Sequence, residues 1–309
     1  KCIQILFKRN QILKNLIIVT GGAGFIGSNL IQLLLDKTKY KILSIDNYST
    51  GKKKNHIINK RIRYIHDNTK NISKILKLNT KKIKVIFHFG EFSRIYQSFN
   101  KLNECLDSNS VGSHEVFNFC LKNKIKLVYS ATSASIGNKG KNKNLSPYAF
   151  TKSKNLEILE NLKRWFGLKY EIIYFYNVYG KNQISKGYMA TVIGIFEEQY
   201  SENKTLTVVK PGNQTRRFTH VDDTVKTCYY AWKKNQCRHY SISSKKSHSI
   251  LAVAKMFNHR IKFLKIRKGE RYASALTSMN LSNKVYPIFG EINLEDYVAN
   301  IVKNYQKKL

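Results

Sequence analysis

A chain of 309 residues with 42% hydrophobic content supports one large domain or two interlocked ones around a substantial core. No stretch reaches the roughly 18 consecutive apolar residues needed to span a bilayer. Cys2, Cys105, Cys120, Cys228 and Cys237 form no Cys-x-x-Cys pair, and the eight histidines show no ligand spacing. This excludes a disulfide framework and predicts a reducing, cytoplasmic setting and no metal site. The net charge of +36 has three readings: a compositional bias toward Lys, Asn and Ile from an AT-rich genome, attraction of acidic small molecules, or nucleic-acid binding. Basic residues are spread over the whole length without an Arg-rich arm or an aromatic-basic motif, which favours the first reading over nucleic acid.

Residues 1–15, with Lys1, Lys8, Arg9 and Lys14, read as an N-terminal extension outside the sheet; they lack the long apolar run and cleavage site of a leader. The chain begins on Lys1 rather than Met, so the natural start is expected further upstream. Leu16 to Thr20 is an apolar, β-branched run expected to be a strand buried on both faces. Gly21-Gly22-Ala23-Gly24-Phe25-Ile26-Gly27 follows directly, then a helix to about Asp36, then a strand from Ile42 to Ile45 ending at Asp46. Gly21 permits the tight turn, Gly24 a close approach to a pyrophosphate, and Gly27 close helix–strand packing. The helix N-terminus then faces the phosphates. Asp46, nineteen residues past Gly27, sits where a carboxylate accepts from adenosine ribose hydroxyls. It repels a 2′-phosphate, favouring NAD over NADP, although Lys52, Lys53 and Lys54 lie close by.

Further strands are expected over Arg61–His66, Val85–Phe89, Lys126–Ser130 and Glu171–Tyr176, with a long helical stretch over about Lys101–Lys122. Strands alternating with helices predict an α/β fold, a doubly wound parallel Rossmann sheet over residues 16–180, with ligands at the carboxyl ends of its strands. Residues 181–309 read as a smaller α/β substrate domain, partly interleaved with the first. Its expected elements are helices over Gly187–Gln199, His248–Phe257 and Leu294–Asn304, a strand over Thr205–Val209, and a turn at Pro211-Gly212-Asn213. Asn293 suits the N-cap of the last helix, ahead of Glu295 and Asp296.

Ser130-Ala131-Thr132-Ser133 brings hydroxyls to the rim of the sheet. Sixteen residues past Thr132 comes Tyr148, in the first turn of a helix with Ser146 as N-cap and Pro147 as first residue. Lys152 follows at i+4, on the same face. A phenol of pKa ~10 is a poor base at neutral pH; a nearby ammonium and the helix N-terminus are expected to favour the phenolate. Tyr148 can then take a proton from a sugar hydroxyl while hydride leaves the same carbon. Thr132 would hydrogen-bond the reacting oxygen, and Lys152 would also hold the nicotinamide ribose. The Tyr-x-x-x-Lys spacing recurs at Tyr48, Tyr200, Tyr229 and Tyr230, so the weight lies on the context of Tyr148.

With these pieces in order, the chain resembles the extended short-chain dehydrogenase/reductase family, and within it the nucleotide-sugar epimerases such as UDP-glucose 4-epimerase, over about residues 16–309. The matching pieces are Thr20–Gly27, Asp46-Asn47-Tyr48-Ser49-Thr50-Gly51, His88-Phe89-Gly90, Asn109, Thr132, Ser146-Pro147-Tyr148 with Lys152, Asn177-Val178-Tyr179-Gly180, Arg216 to Asp223, and Arg267-Lys268-Gly269-Glu270. The resemblance implies a catalytic group of Thr132, Tyr148 and Lys152. It implies a nucleotide-sugar diphosphate held by Asn177, Arg216 and Arg267, as an Arg fork suits phosphate oxygens. It implies NAD contacts from Gly21, Gly24, Phe25, Ile26, Gly27, Asp46, Asn47, Ser49, Thr50, Gly51, Asn68, Thr69, Phe89, Gly90, Glu91, Asn109, Ser130, Tyr148 and Lys152, and a homodimer.

Four positions depart from the family pattern. Glu91 stands where a small residue is usual, and reads otherwise as a partly solvated side chain at the cleft edge. Asn68 falls where the Asp that touches adenine is usual, so that Asp67 or Asn68 could serve, while Arg217 replaces an Asp and Tyr174 an Arg. Ser133-Ala134 follow Thr132 where the related dehydratases carry an Asp-Glu pair, which disfavours dehydration; a decarboxylase Glu is also missing. The expectation is therefore NAD-dependent epimerisation, at C4 of a UDP-hexose, through a 4-keto intermediate. The alternatives are another reaction of the same family (dehydration, reduction or decarboxylation) and a non-catalytic basic Rossmann-type protein that binds RNA.

Overall fold

In this computed structural model, which describes residues 15–77, 80–136, 143–266 and 285–307, eight strands form one sheet. They are β1 (Leu16–Thr20), β2 (Lys41–Asp46), β3 (Ile62–His66), β4 (Ile83–His88), β5 (Lys126–Thr132), β6 (Tyr170–Phe175), β7 (His239–Ser243) and β8 (Val285–Phe289). Their order is β8-β7-β6-β5-β4-β1-β2-β3, and every neighbouring pair is parallel. The order reverses between β1 and β4, where parallel α/β sheets open a ligand crevice at their carboxyl ends.

The labelled helices are α1 (Phe25–Lys37), α2 (Ile95–Asn100), α3 (Leu102–Leu106), α4 (Ser113–Lys122), α5 (Pro147–Phe166), α6 (Val192–Ser201), α7 (Val221–Lys234) and α8 (Leu294–Gln306). Two-residue periodicity sends Leu16 and Ile18 into a core with Val116, Phe117, Cys120 and Leu159 of α4 and α5. Ile17 and Val19 face the other way, onto Leu30, Leu34, Val225 and Cys228 of α1 and α7. At about 1.5–3 kcal/mol per fully buried aliphatic side chain, the four apolar residues of β1 outweigh local propensity in fixing its central position. A third core, with Tyr179, Phe196, Val208, Phe257 and Val298, lies beyond the sheet.

The expected strands fall within one or two residues of the observed ones, and the helical stretches differ more. The run over 101–122 is not one regular helix: α3 passes through a π-helical segment, Asp107–Gly112, before α4. The wide turn carries Asn109 inward, where it both accepts from the Phe92 amide (2.7 Å) and donates to the Phe92 carbonyl (3.1 Å). α6 begins at Val192 rather than Gly187, because Thr191 caps it by accepting from the Gly194 amide, and the preceding residues line a cavity. Ser249 likewise caps a helix starting at Ile250, while His248 and Ser249 pair with Thr215 and Arg216. Asn293 occupies an N-cap position, but its side chain donates to Asp296 instead of accepting from the helix. β7, β8 and α7 had no counterpart in the sequence reading; the two strands extend the main sheet with residues from beyond position 180. Of the expected N-terminal extension, residues 1–14 lie outside the described residues. Among the described residues no helix is long and apolar enough to cross a membrane, and no group of three His, Cys, Asp or Glu stands ready for a metal ion.

α5 starts as its sequence dictates: the Ser146 side chain accepts from the Ala149 amide (3.1 Å) and Pro147 occupies the first turn. Replacing Ser146 with Ala is expected to lower unfolding stability by about 1 kcal/mol, and with Gly by only a few tenths, roughly; urea titration of both variants measures this.

Candidate active site

The carboxyl ends of β1, β2, β4, β5 and β6 open onto one cavity of about 740 Å³, closed on its far side by Ile184, Gly187, Tyr188, Ala190 and Thr191. Gly21, Gly24, Phe25, Ile26 and Gly27 line it from the first turn. Asp46, Asn47, Ser49 and Thr50 line it after β2, Phe89, Gly90 and Glu91 after β4, and Ser130 and Thr132 from the end of β5. Tyr148 and Lys152 enter from α5, and Asn177 and Arg216 from the cap side. Four other expected contacts do not line the cavity. Gly51 packs behind the Asp46 carboxylate, and Thr69 lies behind Gly90 and Gly112. Asn68 caps a short 3-10 turn by accepting from the Lys70 amide, and Asn109 clamps the loop after β4. Arg267 lies outside the described residues.

The first turn fits a dinucleotide. Gly21 has φ of +70°, and a Cβ there would meet the Phe89 and Gly90 backbone at 2.8 Å. A Cβ on Gly27 would lie 2.1 Å from the Gly21 carbonyl oxygen, so only glycine lets α1 approach β1 so closely. The N-terminus of α1 has no side-chain cap and no acidic residue in its first turn, leaving its amides to an anion in the cavity. Asp46 accepts from the amides of Ala23 (2.9 Å) and Tyr48 (2.8 Å), which fixes its carboxylate at the end of β2. Burial raises the pKa of this carboxyl, and the two amide hydrogen bonds oppose that.

At the other end of the cavity Thr132 and Tyr148 are joined by a side-chain hydrogen bond. Lys152 behaves differently from expectation. Its ammonium forms an ion pair with Glu91 Oε2 and donates to the Ser130 carbonyl (2.5 Å) and the Tyr129 hydroxyl (3.4 Å). The Glu91 side chain is not a solvated group at the cleft edge: it is only 2% exposed. Its Oε1 accepts from Ser113 (2.7 Å), Tyr129 (3.0 Å) and Asn155 (3.2 Å). His88 extends the network between Ser113 (3.0 Å) and Thr20 (2.7 Å), and burial pushes its pKa down to about 4, so it is neutral there.

The phenol of Tyr148 is accordingly not lowered. Burial pushes it up to about 12; the Thr132 hydrogen bond lowers it, Glu91 raises it, and the Arg94 guanidinium lowers it. Burial lowers the pKa of Lys152, and Glu91 raises it.

Arg94 had no place in the sequence reading. It lines the cavity beside Tyr148 and donates through Nε (3.0 Å) and Nη2 (2.6 Å) to the Met189 carbonyl, tying the loop after β4 to the cap. The available signal was its position six residues past β4, at the same sheet rim as Phe89 and Gly90. Two other departures are structural. Tyr174 is buried in β6 with its hydroxyl 3.1 Å from His239 Nδ1, and Arg217 donates to the carbonyls of Ser244 and Lys245.

A 3-2-1-4-5-6 parallel sheet with a glycine-rich first turn and a Thr-Tyr pair at the crevice defines a dinucleotide-dependent enzyme of the short-chain dehydrogenase/reductase type. The sequence pattern of the NAD dependent epimerase/dehydratase family matches residues 17–243, and the chain belongs to that family. It is 30% identical over 310 aligned residues to the "Putative UDP-glucose 4-epimerase" of Methanocaldococcus jannaschii, covering 94% of this chain and 98% of that protein. It is 31% identical to the ADP-L-glycero-D-manno-heptose-6-epimerase of Brachyspira hyodysenteriae over 68% of this chain and 70% of that one. Among solved structures, the UDP-glucose 4-epimerase of Thermotoga maritima with UDP-glucose superposes with a TM-score of 0.83 at 23% identity, over 95% of this chain and 99% of that chain.

The cofactor is NAD, and Asp46 is expected to disfavour NADP. A carboxylate about 5 Å from a 2′-phosphate repels it by some 3 kcal/mol per charge at an effective dielectric of ~20. NADP is expected to bind at least about tenfold more weakly than NAD, and Asp46→Ala to narrow that gap; calorimetric titration with both dinucleotides checks it.

Proposed function

We propose that this chain epimerises the C4 hydroxyl of a UDP-linked hexose through a transient 4-keto sugar. The observation that carries the reading is the hydrogen-bonded Thr132–Tyr148 pair in the same cavity as the glycine-rich turn. Bound NAD supplies a hydride acceptor and donor, so the reaction has no net redox change. Thr132 orients the reacting oxygen. Tyr148, having given up its own proton to solvent, takes the hydroxyl proton as the phenolate while the carbonyl forms, and returns it after the sugar has turned its other face. Asn177 and Arg216 hold the diphosphate, and the sequence resemblance gives Arg267 the same role.

The carboxylates favour epimerisation over dehydration. Of the two that line the cavity among the described residues, Asp46 is tied to backbone amides and Glu91 to Lys152, Ser113, Tyr129 and Asn155. Neither is free to remove a second proton, and Ser133 follows Thr132. The relatives support a UDP-sugar: UDP-glucose is bound in the Thermotoga maritima enzyme, and UDP-glucuronic acid with NAD in the 4-epimerase of Bacillus cereus, 24% identical with a TM-score of 0.79. A cytoplasmic site of action agrees with the free thiols of Cys105, Cys120, Cys228 and Cys237.

Tyr148→Phe is expected to lower kcat by about 10²–10⁴-fold while NAD still binds. The measurement is product analysis by NMR and mass spectrometry with UDP-, GDP-, CDP- and dTDP-sugars; a product of unchanged mass with inverted C4 supports the reading, and loss of water or full turnover by the variant overturns it.

The same reading includes a homodimer. Phe99, Leu102, Leu106 and Phe150 are exposed on α2, α3 and α5, which pack against one another and form an apolar surface suited to a second copy. Sedimentation velocity is expected to give a dimer, and Leu106→Asp a monomer.

A further inference from the structure

Lys152 has three N–H donors, and each already has an acceptor within the protein: Glu91 Oε2, the Ser130 carbonyl and the Tyr129 hydroxyl. The ammonium also lies 4.6 Å from the centre of the Tyr129 ring. Glu91 is as fully engaged, through Lys152, Ser113, Tyr129 and Asn155. The pair is buried on both sides, with Lys152 at 5% and Glu91 at 2% side-chain exposure, and it lies at the wall of the cavity that Tyr148 enters. An ammonium in contact with a carboxylate presents a dipole to its surroundings rather than a net charge, and a dipole's influence falls off faster with distance.

We propose that Glu91 is a positioning residue for the proton-transfer site: by holding Lys152 in a buried ion pair it cancels the ammonium's field at Tyr148, so the phenol stays protonated until a cationic cofactor enters the cavity. The charged and titratable groups facing the phenol and the pair are Glu91 and Arg94 from the loop after β4, His88 from β4, Cys105 from α3, Tyr129 from β5 and Lys152 from α5. His88 is neutral, and burial raises the Cys105 thiol and the Tyr129 phenol, so these three contribute no charge near neutral pH. Arg94 is then the one uncompensated positive group among them, and its guanidinium is turned to the Met189 and Ser93 carbonyls. Removing the Glu91 charge leaves Lys152 as a second one, and an uncompensated cation at this range favours the phenolate.

The inference rests on Tyr148 as the proton-transfer group of the proposed reaction, so the test reads the phenol without turnover. Cofactor-free and NAD-loaded protein are each titrated by phenolate absorbance, and because the chain has 19 tyrosines each variant is read against the same variant carrying Tyr148→Phe. In Glu91→Gln the Tyr148 phenolate is expected to appear about 1–3 pH units below wild type. Glu91→Asp, which restores the charge on a shorter side chain, is expected to titrate nearer wild type than Glu91→Gln does; a merely steric role would instead leave the isosteric Gln variant at wild type and shift the Asp variant. Should Glu91→Gln fail to fold, the double variant Glu91→Gln/Lys152→Met, which buries no unpaired ion, carries the test. Its Tyr148 is expected to titrate with wild type. A Tyr148 that titrates unchanged in Glu91→Gln, or clearly higher in the double variant, overturns the proposal. Failure to epimerise any UDP-sugar would count against the proposed reaction and leave this titration unaffected.

Discussion

The close approach of α1 to β1 is the contact on which the rest of the architecture depends. The Gly27 position leaves no room for a side chain against the Gly21 carbonyl, and Gly21 in turn abuts the backbone after β4. Three chain segments thus meet with almost nothing between them, at the point where strand order reverses. The uncapped amides of α1 can face a diphosphate only because the helix begins there. Once β1 is held between β2 and β4, the parallel register carries Asp46, Glu91, Thr132 and Asn177 to one rim.

Much of this was legible because the signals were local. The run Leu16–Thr20, the three glycines and Asp46 are spaced by backbone geometry alone, and Ser146-Pro147 announces the start of α5 in the same way. Beyond Gly180 the elements are short, and their burial depends on partners far away in sequence. β7, with its Ser-Ile-Ser alternation, is buried only because β6 and β8 flank it, and no window around residues 239–243 contains either strand.

The site was legible in its residue types and less so in its electrostatics. Thr132 and Tyr148 meet as their positions on β5 and α5 required. The partner of Lys152 was the harder matter, since a Glu after a strand end has no local reason to be buried. Its burial follows from four donors on three separate segments, Ser113 on α4, Tyr129 on β5, and Lys152 and Asn155 on α5, and no single stretch of sequence holds more than two of them. Removing one member of a buried ion pair generally costs about 3–5 kcal/mol, so the network ties the chemistry of the cleft to the integrity of the fold. Arg94 carries no local signal for a related reason: its acceptor, the Met189 carbonyl, is 95 residues away.

The placement of β7 and β8 also bears on how the chain is made. The edge of β6 finds its partner only when residues 239–243 are available, and β7 in turn only with residues 285–289. On a ribosome the first six strands emerge well before that, leaving a nascent sheet whose β6 rim is an open template for pairing with other chains. Completion of the sheet is therefore delayed until residues 285–289 have left the exit tunnel, and that interval is when aggregation would compete with folding.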